Sequence, residues 1–125
     1  MRGPYDGAMP LVHVTTSAEQ PSADRANALL RELSKSLAEL TGKPESYVMT
    51  CLVPQARMTF GGASDPACYV EVKSIGRMDP ERTTKMSAAF CRLLSEALGV
   101  PQNRIYIGFE DVAADMWGFD GDTFG

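Results

Sequence analysis

The chain resembles itself at a spacing of 57 positions, the step from Gly42 to Gly99. At that one offset Pro44 falls on Pro101, Val48 on Ile105, Glu39 on Glu96, Leu37 on Leu94 and Arg25 on Arg82. Pro10 through Thr16 falls on Ala67 through Lys73. A constant offset sustained over a whole unit marks one supersecondary element occurring twice, and it limits the folds available more than any single motif does. Each copy reads as strand, helix, strand. In the first, the spacing predicts a strand over Leu11–Thr16 and a helix after Pro21 with Ser22 as its N-cap. Leu29, Leu30, Leu33, Leu37 and Leu40 recur at three and four and make one apolar stripe. Gly42 offers the left-handed residue that ends a helix, Pro44 forbids its continuation, and a strand is expected over Tyr47–Leu52.

In the second copy a strand is expected over Cys68–Ile75 and a helix capped by Asp79, with Pro80 at its first position and Glu81 favouring the dipole. Met86, Phe90, Leu93, Leu94 and Ala97 form its stripe, Gly99 and Pro101 stop it, and Arg104–Phe109 closes the unit as a strand. A helical crossover joins parallel strands, so each unit is a βαβ element. Two of them side by side make a two-layer α/β domain: a four-stranded sheet with both helices on one face. The other face is then bare. Its composition reads as mixed, because Val70 and Val72 alternate with Glu71 and Lys73 while the apolar residues of Leu11–Val14 fall out of phase with them. A bare face and unpaired edge strands predict self-association. Segments near Arg57–Phe60 and Trp117–Phe119 are candidate extra strands pairing between subunits.

At 125 residues the chain is one domain's worth. With 44% hydrophobic and 22% charged residues it is ordinary globular material, not a disordered or fibrous one. No stretch approaches the ~18 uninterrupted apolar residues of a membrane span, and no apolar signal region follows Arg2. The net charge of −4 and the absence of a polybasic run argue against nucleic acid. Cys51, Cys68 and Cys91 are odd in number and widely spaced, which is neither a disulfide framework nor a zinc pattern, and they read as small buried apolar residues. The single His13 cannot build a metal site alone and reads as a strand residue. No metal and no cofactor is expected.

No Gly-x-Ser-x-Gly, Walker loop or Cys-x-x-Cys is present. Phe60-Gly61-Gly62-Ala63-Ser64 lacks the following Lys of a phosphate loop and reads as a turn. One unusual possibility is Met9-Pro10. If translation starts at Met9 and the initiator is removed, Pro10 becomes a terminal secondary amine, whereas every other proline nitrogen is a tertiary amide without basicity. An α-amino group titrates near ~8. Burial in an apolar pocket and a nearby Lys both disfavour its cation, which suits it to act as a general base at neutral pH. From the residues alone, a proline that opens a strand is the plainer reading.

Met9-Pro10-Leu11-Val12 opening the first strand, Thr41-Gly42-Lys43-Pro44 with Tyr47, Phe60-Gly61-Gly62-Ala63-Ser64, Ser74-Ile75-Gly76, Arg104-Ile105-Tyr106-Ile107 and the ending Thr123-Phe124-Gly125 stand in a particular order. Together they resemble the macrophage migration inhibitory factor family of the tautomerase superfamily, from Pro10 to Gly125. The resemblance implies the fold read above, assembled as a homotrimer with sites at subunit interfaces. It implies a cofactor-independent keto–enol tautomerase of phenylpyruvate and dopachrome type, an isomerase acting on small aromatic keto or enol substrates. Pro10 matches the catalytic N-terminal proline. Lys43 matches the lysine that binds the substrate's carboxylate or carbonyl oxygen, Ile75 the position whose backbone N–H contacts substrate, and Tyr106 a tyrosine reaching in from the neighbouring subunit. Tyr47, Phe119 and Phe124 match aromatic wall positions, and Trp117 stands where a smaller aliphatic residue is common.

The departures bear on function. Gly108 stands where the mammalian protein has an Asn, so a side-chain donor is missing. Ala67-Cys68-Tyr69-Val70 replaces the mammalian Cys-x-x-Cys, so thiol–redox activity is not carried over. Gln55 replaces an acidic residue used in receptor binding. Arg2 to Ala8 match nothing in the family; residues 1–9 read as an alternative start, an expression scar or a retained leader ahead of a single domain over 10–125. If they stay attached, Pro10 is an amide and the tautomerase is dead. The alternative function is a cytokine-like homologue that binds a cell-surface receptor with little catalysis. The expected location is the cytoplasm, with secretion lacking a signal peptide as a family trait and no membrane insertion.

Overall fold

A computed structural model describes residues 10–125; the extension expected over residues 1–9 lies outside the described residues. The order is β1 (Leu11–Thr16), α1 (Ala23–Thr41), β2 (Met49–Val53), β3 (Cys68–Ser74), α2 (Pro80–Leu98), β4 (Ile105–Asp111), then β5 (Gly118–Phe119) and β6 (Asp122–Thr123). The repeat is reproduced in three dimensions. Both helices have 19 residues and start, stop and cap at matching positions of the two copies. The short 3₁₀ turns Glu45–Tyr47 and Gln102–Arg104 also correspond.

The caps explain the boundaries. The Ser22 hydroxyl accepts from the Arg25 N–H at 3.2 Å, and the Asp79 carboxylate accepts from the Arg82 N–H at 2.9 Å, each satisfying a first-turn donor that has no helical partner. Gly42 and Gly99 end the two helices at φ of 70° and 71°, a conformation that a Cβ disfavours. The Arg82 backbone N–H, and then its guanidinium, which is paired with Asp79, hold the Asp79 carboxyl below its ordinary range. A carboxyl lowered on folding stabilises above its unfolded value, and that contribution is lost as pH falls through the lowered one. The melting-temperature gap between the wild-type chain and Asp79→Ala is therefore expected in full at neutral pH and to narrow under acid; a gap independent of pH would contradict it.

The sheet order is β2-β1-β3-β4. β1 pairs parallel with β2, β3 pairs parallel with β4, and the two units join antiparallel through β1 and β3. Val12 and Val14 lie opposite Val72 and Val70, so the first strand is in phase with the third, contrary to the sequence reading. Leu11 misleads in the sequence because it is apolar yet lies on the bare face, with His13 and Thr15, while Val12, Val14 and Thr16 are buried. Leu29, Leu33 and Leu37 of α1 and Met86, Phe90 and Leu94 of α2 cover the other face, at equivalent repeat positions. Each such side chain contributes roughly 1.5–3 kcal/mol on burial.

The bare face carries rows such as Cys51, His13, Glu71 and Gly108, with Tyr69 and Tyr106 toward one end. It is mixed, as expected. Cys68 is buried, whereas Cys51 and Cys91 are half-buried; burial pushes the Cys68 thiol up, and the thiol donates to Thr16 Oγ1.

Three strands differ in their ends from the sequence reading. Tyr47 belongs to the 3₁₀ turn rather than to β2, which starts at Met49 after Pro44 has imposed its turn. β3 stops at Ser74, and β4 runs on to Asp111. Arg57–Phe60 forms no strand within the chain; Phe60 makes a single bridge to Ala63. Gly118–Phe119 is a strand, but it pairs inside the chain with Asp122–Thr123. No helix among the described residues is long and apolar enough to cross a membrane.

Candidate active site

Pro10 is buried at the mouth of β1, with its carbonyl accepting from the Met49 N–H at 3.1 Å. Around it lies a cleft of about 290 Å³, walled by Pro10 and Leu11, by Ser46–Met49 and by Trp117–Phe119. The lining is mostly apolar, the character expected of a site for a flat organic ligand. Three sequence devices build it. Pro10 opens a central strand without forfeiting a ladder bond, because it stands first. Gly42 and Pro44 end α1 and turn the chain through Glu45–Tyr47, which sets Ser46 and Tyr47 on one wall.

The third device is the C-terminal hairpin. Asp120 and Gly121 both have positive φ, 52° and 81°, as a two-residue hairpin of the tight mirror-image type requires, and Asp-Gly is among the pairs that favour it. That signal was present in the sequence, and it locates β5, β6 and the cleft's third wall; the sequence reading passed over it. It also passed over Ser46, which carries no motif. The hairpin aligns the aromatic residues. Phe119 meets Tyr47 edge-on at 6.3 Å and stacks on Phe124 at 5.5 Å, both within the usual range for aromatic pairs. The Phe124 N–H donates to the carbonyls of Ala114 and Trp117.

Pro10, Tyr47, Trp117 and Phe119 are therefore brought together. Phe124 sits behind Phe119 rather than on the wall, and is buried. Lys43 is buried directly after the helix end, its N–H donating to Ala38 O at 3.1 Å. It enters on the same connection as Ser46 and Tyr47 without lining this cleft. Ile75 follows β3, one residue past Ser74.

Ser74 is the rung that continues Leu11 opposite Lys73, so it lies across from Pro10. Its carbonyl accepts from the Val112 N–H at 2.8 Å, which turns its backbone toward β4 and makes the Pro10 rung a close, non-hydrogen-bonded pair. Its hydroxyl is fully buried, without a partner among the described residues. Ser74→Ala is expected to raise stability by about 1 kcal/mol, since a buried unsatisfied hydroxyl is removed at little loss of packing; a fall in melting temperature would show that the hydroxyl is satisfied.

Tyr106 is elsewhere. It shares a row with Tyr69 and Thr15, four rungs from the Leu11 row, which is roughly 13 Å along a strand. It is 65% exposed, and it cannot reach the Pro10 cleft of its own chain. Gly108, on the same strand, leaves room for the Tyr69 hydroxyl, which stands 3.3 Å from where a Cβ would be. An Asn there would crowd Tyr69.

The sequence model of the macrophage migration inhibitory factor family matches residues 9–125. The chain belongs to the macrophage migration inhibitory factor family. It is 37% identical over 116 residues to macrophage migration inhibitory factor of Rattus norvegicus, covering 93% of this chain and 99% of the relative. The crystal structure of a homologue from Prochlorococcus marinus is 53% identical and superposes with a TM-score of 0.86, over 92% of this chain and 99% of that one. The Toxoplasma gondii factor, 34% identical, gives 0.87 over 91% and 99%. Two helices on a four-stranded mixed sheet are thus the fold of this family.

Proposed function

We propose that this protein is a cofactor-independent keto–enol tautomerase for phenylpyruvate- or dopachrome-type substrates, with the N-terminal amine of Pro10 as its general base. In this reading residues 10–125 are the working domain, and it acts once residues 1–9 are gone. The observation that carries it is the burial of Pro10 at the base of an apolar, aromatic-walled cleft. The carbonyl of Pro10 faces β2. In an extended residue the nitrogen points to the same side, here toward the Ser46–Val48 wall.

As a terminal secondary amine, this nitrogen has its cation disfavoured by the apolar surroundings. Unprotonated, it takes the proton from the carbon next to the substrate's ketone. The C–H pair becomes the C=C bond, and the carbonyl's π pair moves onto oxygen. The pyrrolidinium so formed returns its proton to that oxygen, giving the enol. Lys43 supplies positive charge for the enolate oxygen or the adjoining carboxylate, and a cation already in place stabilises charge as it develops. Tyr47, Phe119 and Trp117 hold the ring, and the Ile75 N–H holds a substrate oxygen. Tyr106, too distant in its own chain, completes the cleft of a neighbouring copy in a homotrimer.

The test is turnover of phenylpyruvate by protein whose intact mass confirms Pro10 as first residue. Catalysis above the buffer rate is expected. A verified Pro10 terminus on trimeric protein with no turnover overturns the proposal.

A further inference from the structure

Arg104 directs its guanidinium at a single loop. Nε donates to Pro66 O at 3.0 Å, Nη2 to Asp65 O at 2.9 Å and to Ala63 O at 3.3 Å, and Nη1 to Phe60 O at 3.4 Å. Its acceptors are all backbone carbonyls of residues 60–66. A rigid planar fork can meet four such oxygens at once; the three donors of a lysine radiate from one point and cannot. The loop's own structure is slight. Phe60 and Ala63 exchange two backbone bonds of 2.9 and 3.1 Å across Gly61 and Gly62, both at positive φ, and the next anchor is Ala67, whose N–H donates to Ser17 Oγ at 3.0 Å.

The clamp also reaches an aromatic pair. The Arg104 guanidinium lies 5.2 Å from the centre of the Phe60 ring, within cation–π range. Phe60 also meets Tyr106 at 4.7 Å with a 45° tilt. Tyr106 is mostly exposed, and among the described residues Phe60 is the aromatic ring against it. An exposed tyrosine has several rotamers, and a ring held against one side removes some of them.

We propose that Arg104 is a positioning residue for Tyr106. By fixing the 60–66 loop it sets the Phe60 ring, and Phe60 holds the Tyr106 hydroxyl in the orientation that a neighbouring copy's cleft receives. The inference rests on the reading of Tyr106 as the residue that completes a neighbour's site.

Two measurements test it. The first needs no activity: stacking on Phe60 shifts the Tyr106 ring protons upfield by NMR. Arg104→Lys moves them toward their free-tyrosine positions while the amide spectrum of the sheet stays unchanged. The second is a cycle in phenylpyruvate turnover. Arg104→Lys is expected to lower kcat/KM about tenfold, as loss of orientation does, and to cost less than about twofold once Tyr106→Phe has removed the hydroxyl it positions. Phe60→Leu, which leaves the loop's carbonyls and their clamp in place, gives the same coupling, and Phe60→Tyr restores activity; these carry the test if Arg104→Lys does not fold. Unmoved Tyr106 resonances, or equal losses in both backgrounds, overturn the proposal. If Tyr106→Phe alone costs nothing, the reading of Tyr106 falls, and the resonances still decide whether Arg104 holds its ring.

Discussion

A chain beginning at Pro10 is expected to tautomerise phenylpyruvate, and the same chain carrying residues 1–9 is not. The reason is electronic. An acyl group on the ring nitrogen draws the lone pair into amide resonance, and nothing basic remains at the base of the cleft. The family match begins at Met9, and removal of that one methionine would expose the amine. General bases contribute about 10²- to 10⁴-fold, and the extended chain is expected to lose at least that much. Pro10→Gly, in a chain with a free terminus, tests the ring itself. A primary amine survives, but without the ring that holds the nitrogen and its lone pair in one direction, so a loss of about a hundredfold is expected. Intact mass assigns each terminus, and far-ultraviolet circular dichroism checks that the sheet is unchanged. Equal turnover by the extended and the Pro10-first chains would remove Pro10 from the mechanism.

Lys43→Ala separates substrates that differ by one charge. A buried cation interacts more strongly than one in water, because the surroundings are less polarisable. The loss is expected to be about 10- to 100-fold in kcat/KM for phenylpyruvate, whose carboxylate the lysine would meet in the proposed reading. It is expected to be smaller for the methyl ester, which keeps the ketone but lacks the charge. Equal losses for acid and ester would place the lysine at the enolate oxygen alone or outside the site. Lys43 follows the C-terminal end of α1, where a cation also favours the helix dipole. Melting curves of both proteins therefore accompany the kinetics, so that a loss of folded protein is not read as a loss of binding.

The amino-acid order alone determined a good deal. The repeat placed both helices, and Ser22, Asp79, Gly42 and Gly99 marked their ends to the residue, because caps and positive-φ glycines act within a few positions of one another. The apolar stripes named the buried face of each helix for the same local reason. The resemblance supplied the candidate base and its aromatic wall, of which Tyr47, Trp117 and Phe119 do meet Pro10 at one cleft. It gave no role to Ser74 or Arg104, although each opens one of the segments that carry it.

What tertiary structure decided is which ends of the strands share a side of the molecule. β1 and β3 run antiparallel, so the start of one lies beside the end of the other. That pairing sets Ser74 opposite Pro10 and sends Tyr106 to the far end of the sheet. It also gives Arg104 a loop to clamp some forty residues earlier in the chain. Periodicity and capping are short-range and can be read residue by residue. Strand pairing is chosen by the burial of faces that come together only when the whole chain has closed, and no local pattern encodes it.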